Sequence, residues 1–282
     1  MASTTAGLTE AVLYDVLVNY LVSMARTVEG AMNRALDAVT SLDSTRTSAL
    51  PSEVFLLEPR INEMEIVIDE HAIRLLRRGS FSDDEMRLIV AALKITNDLE
   101  RIGDLAVNLA QGAVSLREMP GARIPEELVP MALAVRAMAS KSLGALIFRN
   151  VEMATEVLES DGVVDQYRDR IFENLLATMT QQATLVSSGM QFILATRHLE
   201  RIADHATNIA EDIIFWVRGL DVRHGRGLTK RPDRSEGQAN SGIASEPPGE
   251  SPVAGSPQAA AVIENSHAFD AGVTPACETE RA

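Results

Sequence analysis

The sequence predicts an all-α protein, built as two tandem pseudo-symmetric three-helix bundles with up-down-up topology and a disordered C-terminal tail. Three observations support this prediction. Aromatic residues make up only 4% of a chain that is 46% hydrophobic, so aliphatic side chains and Met must form the core, which suits helix-on-helix packing. Apolar residues recur at helical spacing between clusters of proline. Two stretches, 100 residues apart, are near copies of each other.

The repeated stretch lies near the end of each half. Leu99-Glu100-Arg101-Ile102-Gly103-Asp104 matches Leu199-Glu200-Arg201-Ile202-Ala203-Asp204, and each is followed by the same alternating Ala, Asn and Ala residues. Such a repeat indicates a duplicated domain. We therefore predict a first bundle over residues 1–120, a second over 121–224 and a tail over 225–282.

Prolines and apolar periodicity divide the two bundles into six helices. Pro51 and Pro59 bracket one predicted connection, and three prolines between residues 120 and 130 mark another. The predicted helices span about 8–42, 58–79, 82–117, 125–158, 161–183 and 185–219. The short gaps after the second and fifth helices predict antiparallel hairpins.

The third helix shows its ends and its packing face most clearly. Ser82 is the expected N-cap, and Gly79 closes the helix before it. Its apolar seam steps by three and four residues: Leu88, Ala92, Ile95, Leu99, Ile102, Ala106, Leu109, Ala113 and Leu116. The positions 100 residues later repeat this seam in the sixth helix, and only Ser188 breaks it.

The composition narrows the classes of partner. A net charge of -14 argues against nonspecific nucleic-acid binding and favours hard cations and basic protein surfaces. The only cysteine, Cys277, allows no disulfide framework or thiolate metal site, which fits a reducing cytoplasm. No apolar run is expected to approach the roughly 20 residues that cross a bilayer. Because the N-terminus also lacks the pattern of a signal peptide, we expect a soluble protein, at most peripheral to a membrane.

Each copy of the motif carries a Glu-x-x-x-Asp pair, Glu100 with Asp104 and Glu200 with Asp204. A spacing of four places both carboxylates on one helix face, about one turn apart. On a helical wheel each pair lies beside the apolar seam, so it flanks the core and faces water or a shallow groove. Helices often present oxygen ligands to a metal in this way.

The predicted hairpins bring further polar side chains opposite these pairs. The facing pairs are Glu58 with Asp104, Asn62 with Glu100, Asp161 with Asp204, and Asp165 with Glu200. Each half then gathers about four oxygen-bearing side chains across one helix pair. The second set is the stronger candidate because all four of its members are carboxylates, whereas Asn62 gives the first set a neutral amide.

Clustered carboxylates repel one another, and a bound cation removes that cost. Oxygen ligands suit Mg, Mn, Fe or Ca, and Zn also accepts carboxylates, so the sequence leaves the identity of the metal open. His198 and His205 flank the second motif but have no histidine counterpart in the first half. We therefore predict that both are residues of the polar face and not metal ligands.

Two functions other than simple metal binding would also fit a helical bundle with such acidic pairs. One is a carboxylate-bridged dimetal enzyme, which normally uses Glu-x-x-His motifs on core helices. In residues 1–220 no histidine follows a glutamate by three positions, so we predict that the protein is not an enzyme. The other is a structural scaffold whose acidic stripe only aids solubility. The chain also lacks a phosphate-binding loop, which excludes an ATPase of that type.

Several motifs in the chain resemble those of the PhoU family. They are Asn97-Asp98-Leu99-Glu100-Arg101-Ile102-Gly103-Asp104, the stretch from Leu199 to Ile209, Ile61-Asn62-Glu63-Met64-Glu65 with the following Ile68-Asp69-Glu70, and the stretch from Gly219 to His224. The resemblance covers roughly residues 8–224, and the tail lies outside it.

The resemblance implies multinuclear metal clusters (Fe, Zn, Mg or Mn) on the surfaces of two three-helix bundles. Carried over to this chain, the metal positions are Glu58, Glu100 and Asp104 in the first half and Asp161, Asp165, Glu200 and Asp204 in the second. Asn62 departs from the aspartate that the motif prefers.

The resemblance also implies a non-enzymatic negative regulator of phosphate-starvation signalling and phosphate uptake. Such a protein is cytoplasmic and associates peripherally with the inner membrane. It acts as an adaptor between the phosphate ABC transporter, through its ATPase subunit, and a membrane sensor histidine kinase. A homodimer is the expected assembly.

Overall fold

Six α-helices make up the protein in a computed structural model that describes residues 2–42 and 45–223. They are α1 (Ala2–Val39), α2 (Leu50–Leu76), α3 (Asp83–Glu118), α4 (Leu128–Phe148), α5 (Val151–Gln181) and α6 (Val186–Arg218). Short 3-10 helices at Thr45–Thr47 and Ala183–Leu185 precede α2 and α6. The described residues contain no strand, and the all-α prediction is confirmed. The predicted tail, 225–282, lies outside the described residues.

The start of α3 is set by a capping box. The Ser82 hydroxyl accepts a hydrogen bond from the Glu85 backbone N–H, and the Glu85 carboxylate accepts one from the Ser82 backbone N–H at 2.8 Å. These bonds satisfy two donors that a helix N-terminus otherwise leaves unpaired. Gly79, at φ +80°, makes the turn that reverses the chain between α2 and α3. The expected boundary between these helices is therefore correct.

The predicted start of α2 at residue 58 is wrong, because α2 begins at Leu50. Pro51 lies in the first helical turn. Backbone N–H groups in that turn have no intrahelical acceptor, so a proline there costs no hydrogen bond. Pro59 lies inside the helix and does not end it. Buried Val54 and Ile61 hold the segment on either side of this proline against the core. Tertiary packing therefore outweighs the free-energy cost of a proline inside a helix.

The break between α4 and α5 is also earlier than predicted, since α4 ends at Phe148 and α5 runs without interruption through residues 158–161. Arg149 adopts the left-handed conformation at φ 50°, and the Asn150 side chain then accepts a hydrogen bond from the Met153 backbone N–H at 2.8 Å. Neither glycine nor proline marks this turn. An asparagine N-cap is the only local signal, and the helical periodicity around it concealed the break.

The helices pack as two three-helix groups, α1 to α3 and α4 to α6, which meet chiefly along α3 and α6, with α1 also touching α4. Every predicted seam residue of α3 is buried, as are the corresponding residues of α6: Ser188, Phe192, Ala195, Leu199, Ile202, Ala206, Ile209, Ile213 and Trp216. Both groups belong to one compact unit. The division into two domains at residue 120 stays a prediction.

Among the described helices, α4 alone is long and apolar enough to cross a membrane, judged by length and composition. The mean hydropathy of its most apolar window is 1.4, which corrects the expectation that no apolar run approaches this length. Half of that window is buried inside the protein, where α4 packs against α1, α5 and α6. A core helix of a soluble protein passes the same test.

Candidate functional site

The Glu-x-x-x-Asp pair of α3 lies beside the buried seam, as the helical wheel predicts. The Glu100 side chain is 16% exposed and the Asp104 side chain is 41% exposed, whereas Leu99 and Ile102 are fully buried or nearly so. The seam therefore holds α3 in the core and leaves the two carboxylates at the rim of the α2–α3 hairpin.

The residue that α2 brings to this pair is Glu65, which the sequence analysis missed. The charges of Glu100 and Asp104 both interact with the carboxylate of Glu65. Asn62 instead donates a hydrogen bond from Nδ2 to Oε1 of Glu58 at 2.6 Å, along its own helix. The predicted opposition of Glu58 to Asp104 and of Asn62 to Glu100 is therefore wrong by about one helical turn.

The register is fixed by close packing between Ile61 and Gly103. A Cβ atom added to Gly103 would lie 3.1 Å from Cδ1 of Ile61, so the missing side chain makes room for the isoleucine. The one-turn difference from the prediction has a geometric cause. Side chains tilt towards the N-terminus of their helix, and in an antiparallel hairpin this tilt pairs each residue with a partner of higher number.

We call Glu65, Glu100 and Asp104 the first acidic cluster. Burial raises the pKa of Glu100, and the neighbouring charge of Asp104 raises it further. Burial likewise raises the pKa of Glu65, with a contribution from Asp69. Arg101 opposes both shifts, but its nitrogens are 3.5 Å from the nearest oxygens of Glu100 and Asp104, which is long for a charged hydrogen bond. The cluster thus holds negative charge that its surroundings neutralise only in part.

The α5–α6 hairpin carries a second acidic cluster, which we define as Asp165, Asp169 and Glu200. Arg168 lies among these three carboxylates. Its guanidinium is 2.8 Å from Asp165 Oδ1 and 2.9 Å from Asp169 Oδ1, and it donates a hydrogen bond to Glu200 Oε1. These bonds raise the pKa of Arg168, with the hydrogen bond to Glu200 as the largest cause. A single protein cation therefore lies within this cluster, contacts all three carboxylates and offsets one of their three charges.

Arg168 bridges Asp165 and Glu200, the two residues that were predicted to face each other. The sequence analysis did not single out this arginine. Its spacing of three from Asp165 places it on the same helix face and was the available signal. Asp204 is exposed on α6, and the side chain of Asp161 lies outside the described residues. Among the side chains that the structure does describe, no three or more His, Cys, Asp or Glu residues form a group that could hold a metal ion.

A separate polar cluster joins the two halves between α3 and α6. Nδ1 of His205 lies 2.8 Å from Oδ1 of buried Asp98, and Asn208 donates to the same oxygen at 3.3 Å. Lys94 Nζ lies 3.1 Å from Oδ1 of Asp212, another buried carboxylate. His205 is therefore a partner of Asp98 in the interface between the halves, which corrects its assignment to the polar face.

His198 is half-buried on α6, and burial lowers its pKa, helped by Arg201 and Arg197. Its Nδ1 atom is buried without a hydrogen-bond partner in the described part of the chain. The two histidines therefore have different surroundings, although they flank the same motif.

Comparison with known proteins identifies the family. The PhoU domain model matches residues 21–113 and 128–213, one stretch in each half. The chain is 35% identical over 219 residues to the phosphate-specific transport system accessory protein PhoU homolog of Pseudomonas aeruginosa, covering 77% of this chain and 88% of that protein. It is 34% identical over 222 residues to the Pseudomonas putida protein of the same description, covering 78% and 85%.

Solved structures agree with this comparison. The crystal structure of PhoU from Pseudomonas aeruginosa matches with a TM-score of 0.71 and 32% identity over 74% of this chain and 99% of that one. A phosphate transport system regulatory protein PhoU from Streptococcus pneumoniae shares the fold, with a TM-score of 0.67 at 22% identity over 76% of this chain and 99% of that one. The family model, the relatives and the structures cover both bundles, and the chain belongs to the PhoU family.

Proposed function

We propose that this protein is a negative regulator of phosphate-starvation signalling and phosphate uptake. The observation that carries the proposal is the match of the PhoU domain model to both halves of the chain. The relatives from Pseudomonas aeruginosa and Pseudomonas putida are described as accessory proteins of the phosphate-specific transport system. We propose the same accessory role in that system for this chain.

The arrangement of the carboxylates supports an adaptor over an enzyme. A dimetal enzyme of the bundle type holds its metals between core helices, surrounded by Glu and His side chains. Here the seams of α3 and α6 are apolar apart from Ser188, and the acidic clusters lie at the rims of the hairpins. Groups at a rim are accessible to a partner protein, whereas a reaction centre needs water excluded around it.

We further propose that the adaptor binds metal ions. The first acidic cluster suits a hard cation, because its three carboxylates supply oxygen ligands and their mutual repulsion would be relieved by a positive charge. Glu65, Glu100 and Asp104 would be the main ligands, and their side chains would have to move together around the ion, because the described side-chain positions form no group that could hold one. Asn62 and Glu58 lie farther along the same face of α2, where they would extend the site. Fe, Zn, Mg and Mn all accept such ligands.

The proposed partners are the ATPase subunit of the phosphate ABC transporter and a membrane sensor histidine kinase. Membrane proteins present basic cytoplasmic loops, and a chain of net charge -14 is suited to meet them. We propose that the protein works in the cytoplasm, peripherally associated with the inner membrane, as a homodimer. The description of the relatives supports an association with the transport system, and the charge supports a basic partner surface.

Gene deletion in a host without another PhoU gene tests this function. A phosphate-starvation reporter should stay active in high phosphate and return to repression when the wild-type chain is supplied. A chain with Glu100→Gln and Asp104→Asn should not restore repression, because it loses two of the proposed ligands. Glu63→Gln with Glu70→Gln, which alters two exposed carboxylates of α2, is the matched control and should restore it.

Two results would count against the proposal. Normal repression in the deletion strain would overturn the regulatory assignment. Full restoration by the chain with Glu100→Gln and Asp104→Asn, at equal protein level, would overturn the requirement for metal while leaving the regulatory role intact.

A further inference from the structure

The two hairpins can be aligned position by position from their buried residues. In α2 the core positions include Val54, Ile61 and Ile68, and in α5 they include Val157, Val164 and Ile171, all 2% exposed or less. Each α5 residue lies 103 positions after its counterpart, and α6 follows α3 by 100 positions. Because buried residues set how each helix faces its neighbours, this alignment also pairs the residues at the rims.

The alignment pairs Glu58 with Asp161 and Asn62 with Asp165. One turn farther along it pairs Glu65 with Arg168. The two side chains point to corresponding places, since Glu65 interacts with Glu100, and Arg168 donates to Glu200, the counterpart of Glu100 in α6. The same position therefore carries an anion in the first cluster and a cation in the second.

This difference changes what each cluster can bind. A metal ion coordinated by Asp165 and Glu200 would lie about 2–2.5 Å from their oxygens, in the space where the Arg168 guanidinium already donates its hydrogen bonds. A metal ion and a guanidinium that share this space would repel each other strongly. In the first cluster Arg101 forms the ion pairs, and its nitrogens are 3.5 Å from the nearest oxygens of Glu100 and Asp104, farther than Arg168 is from its partners.

We infer that Arg168 is a built-in counter-ion that takes the place of a metal in the second acidic cluster, so that any metal this chain binds is not held there. The inference rests on the metal-binding part of the proposed function. It also reverses the ranking from the sequence, which favoured the set formed by Asp161, Asp165, Glu200 and Asp204. The number of carboxylates is greater there, but the arginine offsets it.

Exchanging the two residues tests this inference. Full-length chains are washed with a chelator, dialysed against Mn²⁺ and analysed for bound metal per chain. Arg168→Glu should increase bound metal roughly twofold, because it replaces the guanidinium in the second cluster with a further carboxylate. Glu65→Arg should remove most of the metal that the wild type binds. Arg168→Gln, which removes the cation and adds no carboxylate, should give a smaller gain and covers the case in which Arg168→Glu fails to fold.

Two charge reversals at exposed positions on the same helices are the matched controls. Glu70→Arg lies on α2, and Arg170→Glu lies on α5. Both change the net charge of the chain as much as the test variants do, so they report any nonspecific effect of charge on metal uptake. Neither should change bound metal, and circular dichroism confirms that every variant is folded.

The possible results separate the inference from the function on which it rests. A wild-type chain that binds metal, with no gain from Arg168→Glu or Arg168→Gln, overturns the inference alone. A wild-type chain that binds no metal overturns the metal-binding part of the proposed function, and the inference then depends on whether Arg168→Glu or Arg168→Gln binds metal. Loss of metal in Arg168→Glu would show that the arginine supports a metal site, which is the opposite of its inferred role.

Discussion

The α2–α3 hairpin and the α5–α6 hairpin share their buried positions and differ at their rims. Both pack aliphatic residues on matching faces, and both carry a Glu-x-x-x-Asp pair one turn apart. Glu65 adds a third negative charge to the first cluster, whereas Arg168 joins the carboxylates of the second. Duplicated cores thus reproduce the geometry of a site, but a single rim residue decides the charge of that site.

The pseudo-symmetry is broken again where the halves meet. Asp98 and His205 are in contact on one side of the α3–α6 interface, and the positions related to them by the repeat are His198 and Leu105. Asp212 likewise corresponds to Gly112. Among the described residues, this polar link between α3 and α6 is not repeated at the related positions. The halves are also joined through α1 and α4, where Arg136 pairs with Asp37 and Ser140 donates to Glu29.

Two cavity-forming substitutions at corresponding positions test whether the two cores are equivalent. Leu99→Ala in α3 and Leu199→Ala in α6 should each lower the free energy of unfolding by about 3 kcal/mol, because both leucines are fully buried. Urea denaturation should show one transition for both variants, since the halves share the α3–α6 interface. Two separate transitions, with each variant shifting only one of them, would show that the halves unfold independently.

A double-mutant cycle measures the polar link between the halves. His205→Leu installs the residue found at the related position 105 and should cost about 2 kcal/mol, since it leaves buried Asp98 with Asn208 as its remaining hydrogen-bond donor. Asp98→Leu with His205→Leu should cost less than the sum of the single changes, by about 1 kcal/mol. Strict additivity in urea denaturation would contradict a direct interaction.

The smallest expected effect is a pH dependence that comes from Asp212. Burial raises the pKa of Asp212, and the charge of Asp98 adds to the rise, while Lys94 and Arg223 oppose it. The folded state therefore holds the carboxyl proton of Asp212 more tightly than the unfolded chain does. The stabilising contribution is complete below about pH 4 and is lost as the pH rises through the raised pKa.

Asp212→Asn removes this titration and provides the comparison. As the pH increases from about 4 towards neutral, the wild type should lose stability relative to the variant. Urea denaturation at a series of pH values measures the difference. A difference that moves in favour of the wild type over this range would contradict the assigned direction.

Local signals in the sequence predicted the helices best where they were strong. The capping box at Ser82 and Glu85 marks the start of α3 correctly, and the seams of α3 and α6 are buried throughout. The prediction failed at Arg149, which adopts a left-handed conformation without glycine, and at Pro59, which lies inside a helix. In both places tertiary packing supports a conformation that local preference disfavours.

The sequence alone determined the all-α class, the internal repeat, the family and the pairs of carboxylates beside each seam. All of these depend on spacing within one helix or on residue identity, which a chain carries without its partners. Only the tertiary structure decided the register between helices. That register depends on the tilt of side chains and on the packing of Ile61 against Gly103, and it determines that Glu65 joins one cluster and Arg168 the other.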